Sequence, residues 1–178
     1  MTTTSSSRNL IEIRNLSVTF PSEAGIVHAV RDVSLDIRAG EVLGIVGESG
    51  SGKTVMSLST IGLLAESATV TGSIVYNGVN LLSLNDDQMS KYRGRDIAMV
   101  FQDPLSALNP VHTIGKQIAE ALHIHKDISS DAAMKRAVEL LEIVGIPRPA
   151  ERAQSYPHEF SGGVRQRVMI ALAIANEP

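Results

Sequence analysis

The chain has 178 residues, 43% of them hydrophobic and 20% charged, which is an ordinary composition for one folded domain with a hydrophobic core. Its formal net charge of -3 argues against a protein that binds nucleic acid through bulk positive charge. The lack of cysteine excludes disulfides and thiolate metal sites within these residues, and no uninterrupted apolar run approaches the ~18 residues of a membrane helix.

Two extended segments come first along the chain. Residues 10–20 and 27–37 have the composition of β-strands. The second segment alternates apolar with polar residues, which predicts a sheet with one solvent-exposed face. Phe20 ends the first of these strands. Two interpretations of Phe20 stay open, packing in the core or a stacking surface for a base, and its place at a strand end favours packing.

A glycine-rich loop follows, in the pattern G-x-x-x-x-G-K-[ST] of phosphate-binding loops. Glycines allow a tight turn that brings backbone N–H groups close to phosphate oxygens, while the lysine reaches the β- and γ-phosphates and the final hydroxyl ligates Mg²⁺. Residues 41–46 predict a buried parallel strand before the loop, and residues 55–64 predict a helix after it. The alternative, a glycine-rich turn that binds nothing, does not explain these flanks. The phosphate loop consists of Gly47, Glu48, Ser49, Gly50, Ser51, Gly52, Lys53 and Thr54.

The next stretch is predicted to alternate between strands and short helices. Asn77-Gly78 is a hairpin turn signal after the β-like residues 72–76, and residues 86–92 predict a short helix. Residues 97–101 predict a second buried strand with Gln102 at its carboxyl end, where open α/β sheets bind ligands. Gln102 is therefore a candidate Mg²⁺ or water ligand beside the phosphates, although an ordinary polar strand terminus is an equal alternative.

A helical block is expected from about residue 105 to residue 160. Residues 113–125 predict one helix, and Ser130 is the predicted cap of the next. Gly145 suits the position just past the end of that second helix. The histidines scattered through this block do not share a helix face, so we expect them to be solvated or locally bonded rather than metal ligands.

A second candidate anion site opens the last predicted helix. Ser161 is a natural N-cap, and Gly162 and Gly163 leave the helix N-terminus bare. One nucleotide rarely needs two phosphate sites in one chain. The second site therefore suggests contact with a nucleotide that another copy of the chain holds. Taken alone, the three residues are a weak signal that also fits a simple helix start, whereas together with the phosphate loop they are a strong one.

Together these motifs resemble the nucleotide-binding subunit of ATP-binding cassette (ABC) transporters. The phosphate loop looks like the Walker A motif of that family, Gln102 like its Q-loop glutamine, and residues 160–166 like its signature, usually written LSGGQ. In the family an aromatic residue at the end of the first strand stacks on adenine, and the resemblance assigns that role to Phe20. The sequences of residues 101–110 and 156–168 are similar to those of the peptide/nickel importer branch, the dipeptide and oligopeptide permease ATPases.

The resemblance implies a fold and a division of the chain. The expected fold is α/β, a P-loop NTPase core with an antiparallel β subdomain and a helical subdomain, without the C-terminal strands of the family. Residues 1–178 would form a partial nucleotide-binding domain. Its parts would be a β-rich P-loop core at 8–102, a helical subdomain at 103–160 and the signature helix at 161–178.

The resemblance to the family also implies an activity and binding partners. The family uses ATP and Mg²⁺, with Lys53 and Gln102 in catalytic roles and Thr54 and Gln102 as metal ligands. Two subunits close head to tail, so Ser161, Gly162 and Gly163 would contact the γ-phosphate held by the second subunit. The expected partners are that subunit, in a homo- or heterodimer, and transmembrane permease subunits at the cytoplasmic face of the inner membrane. An external solute-binding protein would act indirectly, the solute would be a peptide or nickel, and no nucleic acid is expected.

The sequence also departs from the family pattern. Phe160 replaces leucine and Val164 replaces glutamine in the signature. The family places an acidic strand (Walker B) about twenty residues after the signature and a switch histidine later, so we expect this chain to be a fragment that is deficient in hydrolysis, with Glu177 not catalytic. The alternatives are a nucleotide-binding module without turnover and a soluble ABC ATPase that transports nothing.

Overall fold

The computed structural model describes residues 9–103 and 107–178, which divide into two compact units with the boundary between Ser90 and Lys91. Residues 104–106 of the importer-like segment 101–110 lie outside the described residues. No helix within the described ranges combines the length and the apolar character needed to cross a membrane.

The first unit is built on a four-stranded antiparallel sheet. Its strands are β1 (Asn9–Ser22), β2 (Gly25–Arg38), β3 (Thr69–Tyr76) and β4 (Val79–Asn80), in the spatial order β2-β1-β3-β4. The predicted strands at 10–20 and 27–37 are confirmed as β1 and β2. The core beneath the sheet is filled by fully buried side chains, among them Leu16, Val18 and Ile74.

A bend crosses three strands of this sheet at one level. Asn15 and Asp32 both have φ of 48°, Gly72 has φ of 100°, and the strand registers shift around Asn15. The Asn15 side-chain amide donates to the Asp32 carboxylate over 2.8 Å, and the Asp32 N–H donates to Ser17 Oγ over 2.9 Å. A Cβ on Gly72 would lie 2.5 Å from the Asn15 carbonyl oxygen, so only glycine fits there.

The predicted hairpin turn at Asn77-Gly78 is confirmed. Both residues have positive φ, 47° and 85°, as a two-residue type I′ turn between β3 and β4 requires. After β4 come a 3₁₀ turn (Leu81–Ser83) and α2 (Asp86–Met89), which is shorter than the predicted helix at 86–92. The first helix, α1 (Lys53–Thr60), is described with the candidate site below.

Two predicted strands are wrong. Residues 41–46 and 97–101 have no regular strand structure, and Val42 and Val46 are 98% and 93% exposed. Ile97 forms only an isolated bridge with Arg93. A strand exists only as one member of a hydrogen-bonded pair, and neither run meets a partner strand in the part of the chain that the structure describes.

The second unit is helical. It contains α3 (Ile114–His123), α4 (Ser130–Ile143), α5 (Pro149–Arg152), a 3₁₀ turn (Pro157–Glu159) and α6 (Gly162–Ala173). Helices α3, α4 and α6 share one hydrophobic core. Its largest fully buried side chains are those of Ile114, Ile118, Leu122, Leu140, Leu141 and Val168.

The ends of the long helices follow local capping chemistry. Helix α4 is capped by Ser129, whose Oγ accepts from the Ala132 N–H over 3.2 Å, so the prediction of Ser130 as the cap is wrong by one residue. Ser130 already belongs to the helix, and only the residue before it places its hydroxyl over the exposed N–H groups. Gly145, with φ of 73°, follows the C-cap residue Val144 as predicted.

Candidate functional site

The phosphate loop lies between the exposed run at 41–46 and α1, so its predicted helical continuation is confirmed. Gly50 has φ of 80° and Gly52, the N-cap of α1, has φ of 90°, both in the region that favours glycine. The Ser51 N–H donates to the Glu48 carbonyl over 3.3 Å, and the Met56 N–H donates to Gly52 over 2.9 Å. The loop is therefore a tight turn that runs directly into a helix N-terminus.

The junction of loop and helix is pressed against β2. A Cβ on Gly52 would lie 2.3 Å from the Ala29 carbonyl oxygen, closer than a Cβ comes to a non-bonded atom in folded proteins. The glycine at this position therefore serves two needs, a positive φ and the close approach of two backbones. As a result β2 forms one wall of the space in front of the loop.

The side chain of Lys53 folds back over the loop. Its Nζ donates to the carbonyl oxygens of Gly47 at 2.7 Å and Glu48 at 2.6 Å, and to Ser51 Oγ at 3.2 Å. These three partners are neutral oxygens, so none of them supplies a countercharge to the ammonium. A bound anion could replace the carbonyl contacts with charge-assisted ones, which are stronger.

An open cavity of about 630 Å³ lies in front of the loop. Its ionisable wall residues, among those the structure describes, are His28, Arg31 and Lys53, with no carboxylate. The wall is therefore suited to a polyanion. Its apolar part is formed by Val30, Val33, Leu35, Ile45, Val46 and Met56.

The other predicted residues of the loop are exposed. Ser49 and Thr54 face solvent, and Thr54 lies in the first turn of α1, where its hydroxyl is available as one oxygen ligand. Within residues 9–103 and 107–178, no group of three or more His, Asp or Glu side chains is placed to hold a metal ion. The oxygen ligands that the loop itself offers are its hydroxyls, among them that of Thr54, and the carboxylate of Glu48.

Gln102 is placed differently from the sequence expectation, whereas the role of Phe20 stays a prediction. Phe20 is partly buried on β1, paired with Val27 near the hairpin tip, and is not a wall residue of the cavity. Gln102 is exposed and follows an irregular segment rather than a strand, for the reason given above for residues 97–101. Upstream of that segment, the His125 ring nitrogen Nε2 lies 2.8 Å from the Arg93 carbonyl oxygen, which ties the chain to the end of α3.

The second predicted site belongs to the helical unit. Ser161 is the N-cap of α6, as predicted, and its hydroxyl caps no N–H of that helix. A Cβ on Gly162 or Gly163 would meet nothing within 4 Å, and all three residues are exposed. The N-terminus of α6 is therefore an open set of backbone donors with the positive end of the helix dipole behind it.

Residues that sequence reasoning passed over hold this N-terminus in place. Arg165 Nε donates to the Pro157 carbonyl over 2.8 Å. Phe160 is buried, and the Arg152 guanidinium lies 5.5 Å from the centre of its ring. The large apolar residue at 160 is thus a core anchor for the turn before Ser161.

The cavity wall also contains His28 and Arg31, which no sequence pattern indicated. Both are exposed residues of β2, and in the sequence they look like the wet face of an ordinary strand. Only the approach of Gly52 to Ala29 brings this part of β2 beside the loop.

Comparison with known proteins gives consistent matches. The family model described as ABC transporter matches residues 30–178. The oligopeptide transport ATP-binding protein OppD of Mycobacterium tuberculosis is 52% identical over 170 residues, covering 95% of this chain and 28% of that protein. The dipeptide transport ATP-binding protein DppD of Bacillus subtilis is 50% identical over 171 residues, covering 95% of this chain and 51% of that protein. The chain therefore spans about a quarter to half the length of the curated relatives it matches.

Solved structures agree in fold. The ATP-binding cassette MJ0796, in a dimeric post-hydrolysis state bound to ADP and Pi, is similar with a TM-score of 0.84 and 30% identity. The match covers 94% of this chain and 70% of that one. A second dimeric structure of the same bacterial cassette gives a TM-score of 0.83 and 31% identity.

Proposed function

The chain belongs to the ABC transporter family, and on that premise we propose that it binds ATP as part of a transporter that imports peptides. The observation that carries this proposal is the phosphate loop, where the ammonium of Lys53 lies over a cavity whose described wall contains no carboxylate. The names of the relatives, which are oligopeptide and dipeptide transport proteins, support peptides as the solute over nickel.

We assign the phosphates of ATP to the backbone N–H groups of residues 47–54 and to Lys53. A Cβ on Gly50 would meet nothing within 4 Å, so the backbone of the loop is open at that point, and α1 adds its positive dipole end. On binding, Lys53 would exchange the carbonyls of Gly47 and Glu48 for phosphate oxygens. Phe20, near the hairpin tip, is proposed as the adenine-stacking residue.

A magnesium ion, when bound with ATP, neutralises phosphate charge. The hydroxyl of Thr54 and the amide oxygen of Gln102 are the ligands we propose, since hard cations prefer oxygen. Both side chains are exposed, as a residue that meets a metal–nucleotide complex must be.

We propose that Ser161, Gly162 and Gly163 contact a nucleotide held by a second ATP-binding subunit. The open helix N-terminus supports this, because two glycines without neighbours leave room for a phosphate. The further partners in this proposal are permease subunits at the cytoplasmic face of the membrane and, indirectly, an external solute-binding protein.

We further propose that the 178-residue chain binds ATP with little turnover. Phosphoryl transfer to water needs a residue that orients the attacking water, and none of the described wall residues is acidic. Glu177, the acidic residue after α6, is instead paired with Arg136 at 3.1 Å in the helical unit. Lys53 and Gln102 would then position nucleotide without completing the catalytic set.

The test is ATP binding and phosphate release measured side by side. Lys53→Ala should weaken ATP binding by about tenfold or more, the loss of one charge-assisted contact. Lys116→Ala, a change of the same type on the exposed face of α3, is the control and should bind as the unchanged chain does. If the unchanged chain does not bind ATP, the proposal is wrong, and rapid phosphate release abolished by Lys53→Ala would contradict the low turnover.

A further inference from the structure

The cavity in front of the phosphate loop extends along β2, beyond anything that a phosphate group needs. Its wall includes His28 and Arg31 from that strand, together with Lys53. Lys53 is already proposed to bind phosphate, whereas neither His28 nor Arg31 belongs to a recognised motif. Both are exposed, and no carboxylate lies among the described wall residues of the cavity.

The position of His28 relative to the loop is set by backbone contact. Ala29 is the residue whose carbonyl oxygen lies against Gly52, and His28 is its immediate neighbour. Neighbouring residues of a strand are separated by about 3.3 Å along its axis. His28 is therefore about one residue spacing along β2 from the closest point between that strand and the loop, and it lines the same cavity as Lys53.

We propose that His28 contacts the nucleoside part of the bound nucleotide and so distinguishes ATP from a bare polyphosphate. This inference rests on the proposed function, because it takes ATP as the ligand of the loop. Phe20 is paired with Val27, the residue next to His28, and lies outside the cavity wall, so of these two aromatic residues only His28 lines the cavity.

The chemistry of the imidazole suits this part of a nucleotide. Its two ring nitrogens can donate to and accept from ribose hydroxyls, and its flat face can stack on a base. Arg31, in contrast, offers a permanent positive charge that favours any polyanion. Selectivity for the nucleoside is therefore expected from His28, and a general gain in affinity from Arg31.

The experiment compares two ligands, ATP and inorganic tripolyphosphate, by calorimetry on the full chain. His28→Ala should weaken ATP by about fivefold to tenfold, the size of one polar contact or stacking contact, and leave tripolyphosphate unchanged. Lys53→Ala should weaken both ligands. His123→Ala, an exposed histidine of α3, should change neither.

The variants His28→Phe and His28→Gln identify the contact. Recovery of ATP affinity by phenylalanine assigns stacking, and recovery by glutamine assigns hydrogen bonding. Equal binding of ATP by His28→Ala and the unchanged chain, while Lys53→Ala weakens both ligands, would overturn this inference and leave the proposed function intact. No binding of either ligand by the unchanged chain would overturn both.

Discussion

The guanidinium of Arg167 donates to the carbonyl oxygen of Gly145 over 2.8 Å. Arg167 lies on α6, the helix whose N-terminus carries Ser161, and Gly145 directly follows Val144, the C-cap residue of α4. A cation at the C-terminal end of a helix satisfies carbonyls that have no partner within the helix. One side chain thus fixes the candidate signature helix to its neighbour.

Removal of this contact should loosen the helical unit. We expect Arg167→Ala to lower the free energy of unfolding by about 1 kcal/mol, the usual net value of one exposed charge-assisted hydrogen bond. Urea denaturation measures it. Arg148→Ala is the matched control, since its ion pair with Glu151 is exposed and lies within one short turn. Equal effects of the two changes would show that the contact with Gly145 adds nothing.

The contact between Gly52 and Ala29 should tolerate no side chain. Gly52→Ala places a methyl group 2.3 Å from a carbonyl oxygen at a φ of 90°, so we expect a loss of about 2–4 kcal/mol in stability. Gly44→Ala, where a Cβ meets nothing within 4 Å, should be close to neutral. Thermal unfolding of both variants compares them. A stable Gly52→Ala chain would mean that β2 and the loop are not pressed together.

The cap of α4 can be assigned by two neighbouring serines. Ser129→Ala should cost about 1 kcal/mol, because it leaves the Ala132 N–H without its acceptor. Ser130→Ala should be neutral or slightly stabilising, since alanine is the better helix former. Chemical denaturation of the two variants measures both free energies of unfolding. A larger loss for Ser130→Ala than for Ser129→Ala would assign the cap to Ser130.

The open N-terminus of α6 should matter for association and not for folding. Gly163→Ala should leave stability equal or higher, since the added methyl meets open space and alanine favours the helix by about 1 kcal/mol. On the proposed function, it should also reduce ATP-dependent dimer formation, followed by sedimentation at several ATP concentrations. The reference measurement is the sedimentation of the same variant without ATP. Unchanged ATP-dependent association would argue that this face does not meet a nucleotide of a second subunit.

Features written in a few neighbouring residues could be predicted from the sequence. The spacing of glycine, lysine and threonine in residues 47–54 specified a tight loop before a helix, and Asn77-Gly78 specified the hairpin, because both depend on local backbone conformation. The N-cap at Ser161 belongs to the same class.

Features that depend on residues far apart in the sequence could not be predicted from it. The apolar composition of residues 41–46 indicates a strand, yet a strand forms only where another strand meets it. His28 lies in the cavity wall only because Gly52 approaches Ala29, two residues far apart in the sequence. The same holds for Gly72, whose need for glycine comes from the Asn15 carbonyl on another strand.

The exposed run at residues 41–46 has a consequence for how this polypeptide behaves in solution. Val42 and Val46 show almost their whole surface to water, on a backbone that pairs with no strand among residues 9–103 and 107–178. Such a segment is a template for β-pairing between molecules, so light scattering by the purified chain should rise steeply with concentration. Because Val46 also lines the cavity in front of the phosphate loop, ATP should slow this self-association.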